Sequence, residues 1–102
     1  MIVMVDVDNT LCDTPKGDPP DYSKRVPRQW AIDKINKLYD EGNAINIWTA
    51  AGGTQAESIR MDIFQLTCQQ MKDWGVKYHS ITILKPTADL YVDDKAIRIE
   101  DL

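Results

Sequence analysis

The chain has 102 residues, 43% of them apolar, with 16 acidic against 12 basic side chains and a formal net charge of −4. That length buries one core and leaves no room for a second domain, so residues 1–102 read as a single minimal unit. The acidic balance argues against non-specific nucleic-acid binding, which needs clustered cations to displace counterions, and no stretch approaches a membrane span. The first strand begins at residue 2, which gives no place for a signal peptide and predicts a cytoplasmic protein. Cys12 and Cys68 lack metal-type spacing and predict free thiols in a reducing setting, while the lone His79 has no imidazole partner for a zinc site.

Ile2-Val3-Met4-Val5 is the first of four short apolar runs that read as buried parallel strands. It stops at Asp6 and continues as Val7-Asp8-Asn9-Thr10. Residues 12–27, with Pro15, Gly17, Pro19 and Pro20, predict an irregular flap over the end of that strand. Pro27 suits a first helical turn, and Ala31, Ile32, Ile35, Leu38 and Tyr39 recur at helical spacing, predicting a helix over 28–41 capped by Gly42. Ile45-Asn46-Ile47-Trp48 is the second run and ends at Thr49, with Trp48 expected to turn into the core. Thr54-Gln55-Ala56-Glu57 has the capping-box form and predicts a helix over 54–74 that ends at Gly75. Ile59, Ile63 and Leu66 share one face of it, with Met61, Phe64, Cys68 and Met71 beside them. That apolar face is broader than one sheet needs, which predicts a homo-oligomer whose neighbour helps to cover the site. The third run, Ile81-Thr82-Ile83-Leu84, precedes Lys85, and the fourth, Leu90-Tyr91-Val92, precedes Asp93-Asp94. Trp30 and Trp74 read as packing residues. Lys95 and Arg98 follow the last run closely enough to reach a ligand, and Arg60 is a further cation without an assigned partner.

Strand–helix–strand crossovers are right-handed almost without exception, so this order predicts a three-layer or trimmed α/β parallel sheet. Ligands of such sheets lie outside the carboxyl ends of the strands. Carboxylates, a hydroxyl and an ammonium stand at those ends.

Asp6-x-Asp8-x-Thr10, Thr49, Lys85 and Asp93-Asp94, in this order, resemble the four motifs of the haloacid dehalogenase superfamily of aspartate-nucleophile phosphohydrolases. Within it, Asp6–Cys12, Pro27 and Lys85-Pro86 through Tyr91-Val92-Asp93-Asp94-Lys95-Ala96-Ile97-Arg98 look most like the small phosphatases encoded with capsular-polysaccharide biosynthesis. The resemblance implies a Rossmann-like core with strand order 3-2-1-4, the Asp6 strand central, and no separate cap domain. It also implies hydrolysis of a small-molecule phosphate monoester through an aspartyl-phosphate, with sugar phosphate, nucleotide and polynucleotide end as substrates in that order.

A carboxylate and a phosphate dianion repel each other unless a cation bridges them, and Mg²⁺ is the oxygen-seeking ion that does so. The resemblance makes Asp6 the nucleophile and a Mg²⁺ ligand. Asp8 would bind the ion through its backbone carbonyl while its side chain moves the proton of the leaving oxygen and of water. Asp93 would be a metal ligand and Asp94 a partner that orients metal-bound water. Thr10, Thr49, the backbone near Ala50, and Lys85 would hold phosphate oxygens, with Lys85 also keeping Asp6 ionised. Gathering Asp6, Asp8, Asp93 and Asp94 predicts like-charge repulsion that favours a proton on Asp8.

One departure stands out. Where the capsule-linked phosphatases tend to carry Ala-Arg after the second-motif threonine, this chain has Ala50-Ala51-Gly52-Gly53. The two glycines before a helix suggest backbone amides offered to a phosphate oxygen. A receiver-like phosphorylation module gathers similar residues but places its phosphoacceptor aspartate mid-chain, where Thr49 stands here. A catalytically silent relative that binds a metal or a partner is the remaining reading.

Overall fold

The computed structural model describes residues 1–102. Its elements are β1 (Ile2–Asp6), β2 (Cys12–Asp13), β3 (Val26–Pro27), α1 (Gln29–Asp40), β4 (Ala44–Trp48), α2 (Glu57–Asp73) and β5 (Ser80–Thr82), with short 3₁₀ turns at Tyr22–Lys24 and Ile99–Asp101. This is a small α/β fold built on a three-stranded parallel sheet in the order β1-β4-β5. No helix is long and apolar enough to cross a membrane.

The register places Val5 beside Ile47 and Asp6 beside Trp48. Side chains alternate across a strand, so Val5, Ile45 and Ile47 share one face. They join Ile32 and Ile35 of α1 and Met71 of α2 in one buried cluster. Both helices therefore cover the same face of the sheet. On the opposite face Met4, Asn46 and Ser80 lie in register, Met4 is 48% exposed, and the Ser80 hydroxyl donates to Asn46 Oδ1. The outcome is the trimmed two-layer arrangement, with β1 an edge strand and not one buried on both sides.

Two expectations about the sheet are corrected. Leu90–Val92 forms no strand, so the order 3-2-1-4 is not formed and β4, not the Asp6 strand, is central. Local bonds compete there: the Asp93 side chain accepts from the Lys95 amide at 2.7 Å and the Tyr91 hydroxyl donates to the Pro86 carbonyl. Leu90 and Val92 remain 77% and 91% exposed. The third run shortens for a similar reason, since the Thr82 hydroxyl accepts from the Leu84 amide and turns the chain out of the sheet.

Both helix ends at glycine follow the expectation. Gly42 takes φ 93°, its amide donates to Tyr39, and the Asn43 amide donates to Leu38; Gly75, at φ 71°, and Val76 repeat this pattern on Lys72 and Met71. These are Schellman endings, in which a left-handed residue satisfies the last carbonyls. The helix starts differ from expectation. Pro27 pairs with Cys12 in β3 and Arg28 precedes α1. α2 begins at Glu57 after Ala56, without a side-chain cap, because residues 52–55 are already folded into a turn in which the Gln55 amide donates to Gly52. Of the broad α2 face, Met71 is buried, while Ile59 and Met61 stay 46% and 43% exposed.

Gly42→Ala should destabilise the fold by about 1 kcal/mol, because a Cβ is disfavoured in the left-handed region even where nothing lies near it. Urea unfolding checks this, and an unchanged midpoint contradicts the helix ending described.

Candidate functional site

The parallel pairing of β1 with β4 brings Asp6 and Thr49 to one rim of the sheet. Beyond β1 the chain turns tightly: the Thr10 and Leu11 amides both donate to the Val7 carbonyl, and Asn9 sits at φ 56°, a conformation asparagine tolerates. Burial of Val7 and Leu11 anchors the turn, so Asp8 projects beside Asp6. A cleft of about 600 Å³ opens there, lined among others by Asp6, Asp8, Thr14, Ala50, Lys85 and Tyr91.

Asp6 and Lys85 form an ion pair, Oδ1 to Nζ 3.2 Å, with the carboxylate 27% and the ammonium 14% exposed. The Thr10 hydroxyl lies 3.4 Å from the other Asp6 oxygen. Burial pushes the Asp6 carboxyl above the ordinary aspartate range and the charge of Asp8 adds to this, while Lys85 draws it back down. Lys85 Nζ also lies 4.7 Å from the Tyr91 ring centre and 5.6 Å from that of Trp48. Trp48 is half-buried on the site side of the sheet and not in the core, contrary to expectation.

Asp8 has the most crowded carboxylate in the molecule. Arg25 grips it with both sides of its fork, Nε to Oδ1 at 2.9 Å and Nη2 to Oδ2 at 3.1 Å. The Thr14 hydroxyl donates to Oδ1 at 2.6 Å and the Thr49 hydroxyl to Oδ2 at 3.2 Å. Thr49 itself is buried, and its oxygen accepts from the Ala51 amide. A cation from the flap thus meets the Asp8 carboxylate. Arg25 is fully buried, and Thr67 and Gln70 of α2 hold its Nη1 at 2.7 and 3.0 Å while its guanidinium stacks 4.7 Å over Tyr22.

The sequence reading missed Arg25. Within the flap it is one cation among several, but a faint signal existed: Thr67 and Gln70 are polar residues three apart, hence neighbours on one helix face. Position 51, where the resembling phosphatases tend to carry arginine, holds a buried alanine.

The flap is tied down at several points. β2 and β3 pair at its two ends, Arg28 binds Asp13 at 2.7 Å, and the Tyr22 hydroxyl accepts from the Gly52 amide at 3.3 Å. That last bond, with Gly53 donating to Ala50, occupies the amides expected to face a phosphate. A Cβ at Gly53 would lie 2.7 Å from the Thr87 hydroxyl, so the loop after Thr49 and the segment after Lys85 touch.

The structure does not bring Asp93 and Asp94 to Asp6. Both are exposed, neither lines the cleft, and no group of three or more acidic, histidine or cysteine side chains is gathered. Mg²⁺ takes few carboxylates and completes its shell with water and phosphate oxygens. Asp6 alone offers the cleft a carboxylate with spare acceptor capacity, since donors surround both oxygens of Asp8. The donor set fits a cation held by one protein carboxylate and by a bound phosphate, not a four-aspartate centre. Lys95 and Arg98 are likewise exposed outside the cleft, Arg98 pairing with Glu100 at 3.5 Å, and Arg60 does not line it either. Both cysteines are free, and burial raises the Cys12 thiol.

No family model matches the chain, and no curated protein matches it. Among solved structures, the crystal structure of a structural-genomics target from Vibrio cholerae is similar, with a TM-score of 0.82 at 24% identity over 98% of this chain and 85% of that one. At that identity the likeness is one of fold.

Removing one partner of a buried ion pair strands the other charge, typically at ~3–5 kcal/mol. Asp8 keeps 24% exposure, so Arg25→Met should cost about 3 kcal/mol, at the lower end of that range. Adding Asp8→Leu should recover much of the loss. Chemical denaturation of the single and double variants measures both, and a wild-type midpoint for Arg25→Met contradicts the pairing.

Proposed function

We propose that the protein is a Mg²⁺-dependent phosphatase that hydrolyses small-molecule phosphate monoesters, sugar phosphates foremost, through a phosphorylated Asp6. The observation that carries this reading is the Asp6–Lys85 pair at the mouth of a cleft, beside a second aspartate and a strand-end threonine. Carboxylate, ammonium and hydroxyl are what attack on phosphorus followed by charge stabilisation asks for.

In this reading the phosphate enters between Asp6 and Lys85, and the ammonium shifts from the carboxylate to an equatorial phosphate oxygen. Asp6 attacks in line and the leaving oxygen departs toward Asp8. The Thr49 contact is the longest of the four on Asp8, and it is the one exchanged when the Thr49 hydroxyl turns to the phosphate. Asp8 gives a proton to the leaving oxygen and then regains one from the water whose oxygen attacks the aspartyl-phosphate, which frees inorganic phosphate and restores the Asp6 carboxylate. The Asp6 carboxylate and the Asp8 carbonyl would hold Mg²⁺, which would supply charge neutralisation for the two anions when bound. A second subunit seated on the exposed Ile59 and Met61 surface makes the protein a homo-oligomer.

Asp6→Asn should lower turnover about 10³-fold or more and leave no covalent adduct by mass spectrometry. Asp8→Asn should accumulate the adduct on Asp6 when an activated aryl phosphate is supplied. An adduct mapped to any other residue contradicts the assignment. Exhaustive metal removal should abolish turnover and added Mg²⁺ restore it; full activity in excess chelator rejects the metal requirement.

Lys85→Met should slow turnover about 10²-fold or more. It should also displace the acid side of the pH–activity profile upward. The sign follows from the site: Lys85 lowers the Asp6 pKa, so its loss leaves the carboxyl protonated to higher pH. An unmoved acid limb contradicts the Asp6–Lys85 coupling.

A further inference from the structure

We propose that Arg25 is a positioning residue, which acts on the reaction by fixing the direction in which Asp8 faces the leaving oxygen. This rests on the phosphatase reading and goes beyond it, since neither the motifs nor the resemblance assigns Arg25 a role. An aspartate alone rotates freely about χ1 and χ2. Asp8 does not, because the planar fork of Arg25 binds both of its oxygens, at 2.9 and 3.1 Å. A bidentate guanidinium–carboxylate pair fixes a plane as well as a distance, which an ammonium cannot do.

The fork is itself held from behind. Nη1 donates to Thr67 Oγ1 and Gln70 Oε1, the Thr67 hydroxyl donates onward to the Ile63 carbonyl at 2.8 Å, and Gln70 Nε2 donates to the Tyr22 carbonyl at 2.9 Å. Tyr22 closes the set by stacking on the guanidinium. No buried side-chain nitrogen or oxygen in the molecule is left unpartnered. The orientation of Asp8 is therefore transmitted from α2, an element with no residue on the cleft. Thr14 on the flap adds a further donor to the same carboxylate, so flap, helix and strand end all converge on the plane of one side chain.

A merely structural arginine and a positioning one differ in which substrate feels its loss. Misorienting Asp8 slows proton delivery to the leaving oxygen and, later, attack of water on the aspartyl-phosphate, so alkyl phosphates suffer already in the first step, whereas aryl phosphates with acidic leaving groups still phosphorylate Asp6 at the normal rate. General destabilisation slows both alike. The test compares kcat for a sugar phosphate with the single-turnover rate of nitrophenol release from 4-nitrophenyl phosphate in Arg25→Lys, Arg25→Met, Thr67→Val and Gln70→Met, each assayed below its own unfolding temperature.

On the sugar phosphate, kcat should fall ~10–100-fold in both Arg25 variants and ~3–10-fold in Thr67→Val and Gln70→Met. The single-turnover rate of nitrophenol release, which reads phosphorylation alone, should stay within about threefold of wild type. Adding Thr67→Val to Arg25→Met should cost nothing further in kcat, since the two act through one fork. If the Arg25 variants do not fold, Thr67→Val and Gln70→Met, which leave Asp8 paired, decide the matter by the same ratio. Equal losses in the sugar-phosphate kcat and in the single-turnover nitrophenol rate, or no loss in either, overturn the inference while leaving the phosphatase reading intact. A wild-type protein that hydrolyses neither ester defeats that reading and the inference together.

Discussion

The guanidinium of Arg25 meets three otherwise separate parts of the molecule: the turn after β1 through Asp8, the middle of α2 through Thr67 and Gln70, and the flap through Tyr22. A buried cation is tolerated only where charge and hydrogen bonds compensate the lost hydration, and both are supplied here. Bringing the flap to this position requires α2 to expose polar atoms on its inner face. That explains why Thr67 and Gln70 are buried at places where an apolar residue would pack the sheet more simply. The flap, for its part, carries only the 3₁₀ turn at Tyr22–Lys24 between β2 and β3, and it is tied by their pairing, by Arg25 and by the bonds of Tyr22 to Gly52 and Gln70.

Asp6 depends on different forces. Its place follows from backbone pairing, with Val5 buried against the helices and the next side chain delivered to the opposite face and the rim. Lys85 reaches the same point from the chain just beyond β5. The two aspartates, two residues apart, are held by independent means: Asp6 by the sheet and one ammonium, Asp8 by a fork and two hydroxyls. Carboxylates placed so near each other separate into distinct roles when their surroundings differ in this way.

Much of this was legible in the chain because it is local. Apolar runs bounded by polar residues found β1, β4 and the end of β5, and Gly42 and Gly75 marked where both helices stop, since only the left-handed region closes a Schellman ending. The meeting of Asp6, Asp8, Thr49 and Lys85 followed from strand ends sharing a rim. What escaped was non-local or contested locally. Arg25 pairs with Asp8 across 17 positions and with Gln70 across 45, and no short window carries that information. Leu90–Val92 has strand-forming residues, but its own Tyr91 bonds back to Pro86 and the Asp93 that follows it accepts within its own turn. Thr54–Glu57 spells a capping box, yet the turn beginning at Gly52 has already set the chain's direction before Ala56. In each case a favourable local preference yields to a nearer or better-satisfied set of hydrogen bonds.

The close approach of Thr87 to Gly53 bears on how the cleft opens. Where one loop rests against bare backbone of another, neither swings inward alone. The loop after Thr49 is bonded through Gly52 to Tyr22, and Tyr22 lies against Arg25, while Thr87 sits two residues from Lys85. Widening the cleft on the Lys85 side therefore moves away from an unyielding wall, whereas narrowing it pushes on the flap. The contact thus makes narrowing of the mouth costlier than widening it.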